Sequence, residues 1–189
     1  LQLRMSGIDP TFTLGRLQAD RERTLAALAA DGLLDANRAR RLPLVPLRIG
    51  LITSVGSAAH ADVLAELTAS GLGFTVRVAD ARTQGIDCAP SVVAALARLA
   101  ADGVDAVLLV RGGGARTDLA GFDTDLLARA VATMPVPVWT GIGHEVDRSI
   151  ADEVAHAAHK TPTAAAAALV AVVRTYLDRV DHLGGAIRR

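Results

Sequence analysis

Short apolar segments alternate with helical segments through the middle of the chain, and this alternation constrains the fold more than any other feature. The apolar segments are RIGLIT (48–53), GFTVRVAD (73–80), DAVLLVRGGG (105–114) and VPVWTGIG (136–143). Apolar residues at helical spacing lie between them. Strands that alternate with helices of this length indicate parallel βαβ units, and near-continuous apolar strands indicate burial on both faces. We predict an α/β fold with an open, mostly parallel sheet and helices on both faces.

The residues that precede this region predict one helix and one connector. Leucines recur at helical spacing from Leu14 to Leu28, and Gly32 lies at the position of a helix C-cap. Two prolines in RRLPLVPLR (40–48) favour an extended connector. The first ten residues, LQLRMSGIDP, alternate weakly and could form a lone strand. We therefore expect residues 1–47 to hold the end of a preceding domain, a helix and a linker, and residues 48–160 to form the α/β domain.

The last segment, residues 161–189, predicts a long helix. Thr161 is suited to the N-cap, with Pro162 at the first helical position. Six apolar residues then step by four, three, four, three and four, which is a heptad seam: Leu169, Val173, Tyr176, Val180, Leu183 and Ile187. The seam covers fewer than three heptads and is interrupted by Gly184–Gly185. A surface helix that packs on its own domain and the start of a coiled-coil stem both fit this pattern.

Composition limits the classes of function. The 189 residues carry 20 basic and 20 acidic side chains, so no global basic field indicates nucleic acid. Lys160 is the only lysine; arginine suits bidentate contacts to phosphate, but a GC-rich genome produces the same bias. The single cysteine, Cys88, excludes an internal disulfide and fits a reducing compartment, which we take to be the cytoplasm. The longest apolar run, 164–173, is too short to span a bilayer.

A glycine-rich segment follows the third predicted strand, and ligands in open parallel sheets bind beyond the carboxyl ends of the strands. Arg111 precedes Gly112, Gly113 and Gly114, whose backbone can turn N–H groups towards an anion. The spacing matches neither a Walker A loop nor a dinucleotide-binding fingerprint. Taken alone, the segment is better explained by a tight turn with a solvated arginine, since glycines commonly form turns.

The fourth and first predicted strands are also followed by polar residues. His144 can donate or accept a proton near neutral pH, and Asp147 could orient its ring. The alternative is the start of a helix, where acidic residues are favoured; this explains Glu145 and Asp147 but not His144. Asp62 lies one turn into the helix after the first strand, with His60 beside it. An aspartate on a helix is usually a solvated charge. Taken together, the strand ends suit hydrolysis at phosphorus, in which the arginine and amides stabilise oxygen charge and the histidine moves a proton.

Five segments, in order along the chain, resemble the exodeoxyribonuclease VII large-subunit family. They are LAADGLLDANRARRLPLVPLRIGLITS, AAHADVL, VLLVRGGGARTDLAGFD, VPVWTGIGHEVDRSIAD and TPTAAA. The combination of RGGG, DL-x-x-F and GHE-x-D at these spacings is specific. The resemblance implies the central catalytic domain of a nuclease that degrades single-stranded DNA from either end and releases short oligonucleotides with 5′-phosphates.

The resemblance also implies neighbouring parts and partners. The family has an N-terminal OB-fold domain for single strands and a long helical stem that binds several copies of a small subunit. We therefore expect a catalytic fragment, with residues 1–10 as the remnant of the OB fold and a stem cut short after Arg189. The expected partners are single-stranded DNA and the small subunit, with no membrane. A magnesium requirement does not follow, because metal use in the family is mixed.

The family's catalytic positions fall on Asp62, Arg111, His144 and Asp147, the same residues that the strand ends indicate. We assign Ser54 and the three glycines (Gly112, Gly113 and Gly114) to phosphate or DNA binding, and we assign no metal ligand.

The chain departs from the family pattern at Val55, Asp123, Val146 and Lys160. We expect these departures to affect contacts with the substrate strand more than the core chemistry. A clustered set of aspartates, Asp118, Asp123 and Asp125, could form a hard-metal site or a solvated helix start. Two other interpretations stay open: a non-catalytic nucleotide-binding α/β module, and an assembly platform with a vestigial site.

Overall fold

A computed structural model describes residues 10–113, 116–143 and 148–187. Within these residues the strands form one all-parallel sheet in the order β2-β1-β3-β4-β5. The strands are β1 (Arg48–Thr53), β2 (Thr75–Asp80), β3 (Ala106–Val110), β4 (Val138–Gly141) and β5 (Ala157–Ala158). The helices are α1 (Pro10–Ala30), α2 (Ala58–Ala69), α3 (Cys88–Ala101), α4 (Asp125–Thr133), α5 (Ile150–Val154) and α6 (Pro162–Ile187), with a 3-10 helix at Arg116–Asp123. The predicted α/β fold is confirmed.

Side chains of the central strands alternate between two apolar clusters, one on each face of the sheet. Leu51 and Leu108 pack with residues of α2 and α6, whereas Ile52 and Leu109 pack with residues of α3, α4 and α5. This alternation follows from the period of two in a strand, and burial of both sets explains the continuous apolar runs. Gly50 allows α3 to approach β1 closely, because a Cβ there would lie 2.7 Å from Cδ1 of Leu99.

The ends of the predicted helices follow their local signals. Thr161 caps α6, accepting a hydrogen bond from the Ala164 N–H at 3.0 Å, and Pro162 is the first helical residue. Gly32 and Gly103 lie just beyond α1 and α3 with φ angles of 69° and 65°. This left-handed conformation suits glycine and stops a helix. The predicted N-cap at Thr161, first helical residue at Pro162 and stop at Gly32 are confirmed.

The two halves of α6 lie in different environments. Leu169 and Val173 are buried in the domain, whereas Leu177, Val180 and Leu183 are 40%, 46% and 62% exposed. The helix also continues through Gly184–Gly185 to Ile187, so this glycine pair does not end it. The first half is therefore a packed surface helix, and the second half presents an apolar seam outside the domain.

Three short elements lack a counterpart among the sequence predictions: β5, α5 and the 3-10 helix. The lone strand predicted for the first ten residues falls on residues 1–9, which lie outside the described part of the chain, and on Pro10, where α1 begins. The division into 1–47, 48–160 and 161–189 stays a proposal. Among the described residues, no helix combines the length and apolar character that crossing a membrane requires.

The strand order determines where a ligand would bind. The chain moves from β1 outward to β2 in one direction and then through β3, β4 and β5 in the other, so it reverses between β1 and β3. Connections that leave neighbouring strands towards opposite faces open a crevice at the carboxyl edge. The loops after β1 and β3 therefore flank the expected ligand position.

Candidate active site

Arg111 lies directly after β3, at the carboxyl edge of the sheet, and is 5% exposed. Its backbone N–H donates to the Gly141 carbonyl oxygen at 3.2 Å, which holds the end of β3 against the end of β4. Burial raises the pKa of the Cys88 thiol to about 11, and the positive charge of Arg111 opposes this rise. The guanidinium therefore acts electrostatically on the start of α3, on the face opposite α2.

The glycine segment after Arg111 packs against the first turn of α2. A Cβ added to Gly112 would lie 3.8 Å from the Cβ of Ala59 and 3.9 Å from its backbone nitrogen. Gly113 is exposed, and a Cβ there would meet open space. The predicted Gly114 lies outside the described residues. The first N–H groups of a helix have no intrahelical acceptor and favour anions, so this contact brings two groups of backbone donors together.

Asp62 is an exposed residue of α2, within one turn of Ala59. Ser57 caps this helix by accepting from the His60 N–H at 3.2 Å. The His60 ring is held against the preceding loop, because its Nδ1 accepts from the Gly56 N–H at 3.4 Å. The fold thus brings the helix that carries Asp62 to the segment that follows Arg111. These two predicted site residues share one edge of the sheet.

Ser54 has its hydroxyl engaged within the protein. Its Oγ donates to the Ala81 carbonyl oxygen at 3.0 Å and lies 3.1 Å from Oγ1 of Thr83. The next residue, Val55, donates its N–H to Asp80 at 2.9 Å. These bonds join the carboxyl ends of β1 and β2. A contact from Ser54 to phosphate stays a prediction, and in this structure the hydroxyl supports the loop before α2.

The predicted His144 and Asp147 lie outside the described residues, as do Glu145 and Val146. The residues on either side of them are described, and hydrogen bonds connect the two sides. Thr140 Oγ1 donates to the buried carboxylate of Asp152 at 2.5 Å, and the same carboxylate accepts from the N–H and hydroxyl of Ser149.

The sequence reasoning missed Asp152. The signal was available, because Ser149–Asp152 has the S-x-x-D spacing of a capping box.

Asp123, a position of departure from the family pattern, supports the same helix start. Its Oδ1 accepts from the Ile150 N–H at 2.8 Å and from Arg21 at 3.1 Å. Burial raises the pKa of this carboxyl, and the Ile150 N–H and Arg21 oppose the rise.

Asp125, another member of the aspartate cluster, pairs with Arg129 at 2.8 Å. In the part of the chain that the structure describes, no group of three or more His, Cys, Asp or Glu side chains is arranged to hold a metal ion.

Two histidines outside the predicted site stack on Trp139. The rings of His156 and His159 lie 6.0 Å and 5.4 Å from the Trp139 ring, with interplanar angles of 8° and 28°. Both histidines are half-buried, and burial lowers the pKa of His159. Lys160, the next residue, is exposed at the turn into α6. These aromatic contacts join β4 and β5 to that turn.

Comparison with known proteins identifies one family. The family described as "Exonuclease VII, large subunit" matches residues 33–189. The exodeoxyribonuclease 7 large subunit of Corynebacterium efficiens is 42% identical over 158 residues, covering 83% of this chain and 38% of that protein. The protein of the same name from Moorella thermoacetica is 39% identical over 190 residues, and the match covers 100% of this chain and 47% of that protein. The protein of the same name from Acidothermus cellulolyticus is 40% identical over 189 residues, and the match covers 100% of this chain and 45% of that protein.

The chain spans less than half the length of these curated relatives. The family match nevertheless covers most of this chain, and it includes the described residues that converge at the carboxyl edge of the sheet. The resemblance noted in the sequence motifs is confirmed, and the chain belongs to the exonuclease VII large-subunit family.

Proposed function

We propose that this chain is the catalytic part of an exodeoxyribonuclease VII large subunit, which hydrolyses phosphodiester bonds of single-stranded DNA. The observation that supports this most directly is the contact between Gly112, which follows Arg111, and the first turn of the helix that carries Asp62. The set at this sheet edge is the segment after a buried arginine, the N–H groups in the first turn of a helix, and the carboxylate that the helix carries. Such a set can bind a phosphate and stabilise charge that develops on its oxygens.

Each site residue has a role in this proposal. Arg111 and the glycine amides hold the non-bridging oxygens of the scissile phosphate. His144 takes a proton from the attacking water, and Asp147 orients its ring. The water oxygen bonds to phosphorus, the bond to the 3′ oxygen breaks, and the released strand keeps a 5′-phosphate. Asp62 completes the acid/base pair, and the leaving 3′ oxygen takes up a proton from solvent.

The proposed partners are single-stranded DNA and an exodeoxyribonuclease VII small subunit. Val180 and Leu183 support the second partner, because these two residues of the heptad seam are exposed on the outer half of α6, with the exposed Leu177 beside them. A heptad seam of this kind packs against another helix. The single cysteine, Cys88, is a buried free thiol, which fits the reducing cytoplasm that we propose as the compartment.

The test uses the complete large subunit that contains this chain, purified with its small subunit. We expect Arg111→Ala to lower the rate of single-strand cleavage about 10²–10³-fold, as loss of a donor to a charged transition state does. His144→Ala should lower it about 10²–10⁴-fold, because a general acid or base is removed. The control is Arg129→Ala, which removes an arginine from α4 that pairs with Asp31 and Asp125. Near wild-type cleavage by both Arg111→Ala and His144→Ala would contradict the assignment.

A further inference from the structure

Asp152 is a buried carboxylate that none of the roles above uses. It is 4% exposed and accepts three hydrogen bonds, from Thr140 Oγ1 at 2.5 Å, from the Ser149 N–H at 3.0 Å and from the Ser149 hydroxyl at 2.8 Å. A buried charge is tolerated only where donors satisfy it, and those donors then have little freedom to move. Asp152 therefore fixes Thr140 and Ser149 relative to each other.

These two partners lie on either side of the segment that carries His144 and Asp147. Thr140 belongs to β4 and is held in register with Leu109 on one side and Ala158 on the other. Ser149 is the N-cap of α5, which follows the segment directly. The Asp152 carboxylate is thus a bridge from the carboxyl end of a central strand to the helix on the far side of the segment.

A second carboxylate holds the same helix start from another direction. Asp123 accepts from the Ile150 N–H at 2.8 Å and from Arg21 of α1 at 3.1 Å. The first turn of α5 is therefore bonded to β4 through Asp152 and to the end of the 3-10 helix through Asp123. Both ends of the intervening segment are attached to the rigid part of the domain.

We propose that Asp152 is a positioning residue of this site: it sets the distance between the end of β4 and the start of α5, and thereby where His144 and Asp147 are presented. This inference rests on the proposed function. Asp152 touches no reacting atom in this role and acts through its bond to Thr140. A capping box alone would explain the bonds to Ser149, since Ser149 and Asp152 satisfy each other's backbone N–H groups. The Thr140 bond is not part of a capping box, and it distinguishes the two explanations.

The experiment measures kcat and KM for single-stranded DNA with the complete large and small subunit complex. Asp152→Ala should lower kcat about 10–100-fold with KM little changed, since a displacement of about 1 Å at a catalytic group has an effect of this size. Asp152→Asn should recover most of the rate, because its amide oxygen can accept from Ser149 and its NH₂ group can donate to Thr140. Thr140→Val leaves the capping box intact and removes only the bridge, and it should lower kcat about 10-fold.

The matched control is Asp125→Ala, which removes an exposed aspartate from the first turn of α4 and should leave kcat unchanged. Hydrogen exchange of peptides spanning 141–150 gives a readout that does not depend on activity. Asp152→Ala and Thr140→Val should each speed exchange there, relative to Asp125→Ala, while β1 and β3 stay protected.

Each outcome has one meaning. If Asp152→Ala or a folded Thr140→Val retains wild-type kcat while Arg111→Ala is inactive, the positioning role is wrong and the proposed function stands. If Asp152→Asn is as slow as Asp152→Ala, the charge itself is needed, and positioning is again wrong. If the wild-type complex does not cleave single-stranded DNA, the proposed function fails. In that case hydrogen exchange still tests the positioning role. Unchanged exchange of peptides 141–150 in both Asp152→Ala and Thr140→Val would overturn this role as well.

Discussion

Asn37 shows how one buried polar side chain can hold two distant parts of a chain together. Its side chain is fully buried, donates to the Val136 carbonyl oxygen at 3.0 Å and accepts from the Val138 N–H at 2.8 Å. Its own carbonyl oxygen lies 3.3 Å from Nδ1 of His156. Asn37 therefore joins the connector after α1 to the start of β4 and to the turn before β5. Buried backbone groups need partners of this kind.

We expect Asn37→Ala to lower the free energy of unfolding by about 1–3 kcal/mol, because buried backbone groups lose their hydrogen-bond partners. The urea midpoint of the chain measures this loss. Asn37→Asp keeps the acceptor for Val138 but removes the donor to Val136, and it should also be less stable than wild type. An unchanged midpoint for the alanine variant would mean that these bonds contribute nothing net.

His159 makes stability depend on pH. Burial lowers the pKa of this histidine from its ordinary value of 6.5 in the folded protein. The unfolded chain therefore binds the proton at a higher pH than the folded chain does, and the free energy of unfolding falls as pH drops below about 6.5. Above that pH the imidazole is neutral in both states, and this contribution does not change.

Urea unfolding of wild type and His159→Phe between about pH 7.5 and pH 5 tests this dependence. The phenylalanine ring can still stack on Trp139 but cannot take up a proton, so the variant should lose less stability on acidification. An equal loss in both proteins would assign the pH dependence to other groups.

Among the elements, α6 most clearly combines two roles in one helix. Its inner half buries Ala165, Leu169 and Val170 against the sheet and α2, and its outer half leaves Val180 and Leu183 exposed. A single heptad seam runs through both halves, so the sequence pattern does not show where the domain ends along the helix. The packing of α6 against α2 determines where along the helix the domain ends.

Two leucine-to-alanine changes on α6 should separate these halves. Leu169→Ala should lower the free energy of unfolding by about 2–5 kcal/mol, because it removes a fully buried side chain. Leu183→Ala changes an exposed position and should stay within about 0.5 kcal/mol of wild type. The matched pair is measured by urea unfolding of the chain. Equal effects would show that the outer half is packed in solution.

At the scale of the whole molecule, the strand order gathers residues that are far apart in the chain. The reversal between β1 and β3 places the helix of Asp62 beside the segment after Arg111, and β4 adds the residues that lead to His144. Groups that act in one reaction step do not contribute independently to its rate. The proposed site should behave as such a unit.

We expect the double variant Arg111→Ala/His144→Ala to cleave single-stranded DNA no more than about 10-fold more slowly than the slower single variant, because residues of one catalytic unit are strongly non-additive. Cleavage rates of the complete complex under single-turnover conditions measure this. Effects that multiply would indicate that the two residues act in separate steps.

Much of the candidate site was accessible from the sequence, because the signals were local. RGGG follows an apolar strand, and Asp62 lies one turn into a helix that begins near a serine cap. Both features arise from residues close together in the chain. Asp152 was not found, because its bond to Thr140 depends on how α5 lies against β4. The stacking of His156 and His159 on Trp139 was missed for the same reason.

The sequence by itself determined the α/β class, the central strands, the end of α1 at Gly32 and the start of α6 at Thr161. Periodicity, caps and glycine stops act over a few residues and need no distant partner. Only the tertiary structure decided the order β2-β1-β3-β4-β5 and which helices cover each face. It alone also decided that Asp152 bridges β4 and α5. These features depend on packing and hydrogen bonds between residues distant in the chain, and the same local βαβ signals are compatible with other strand orders.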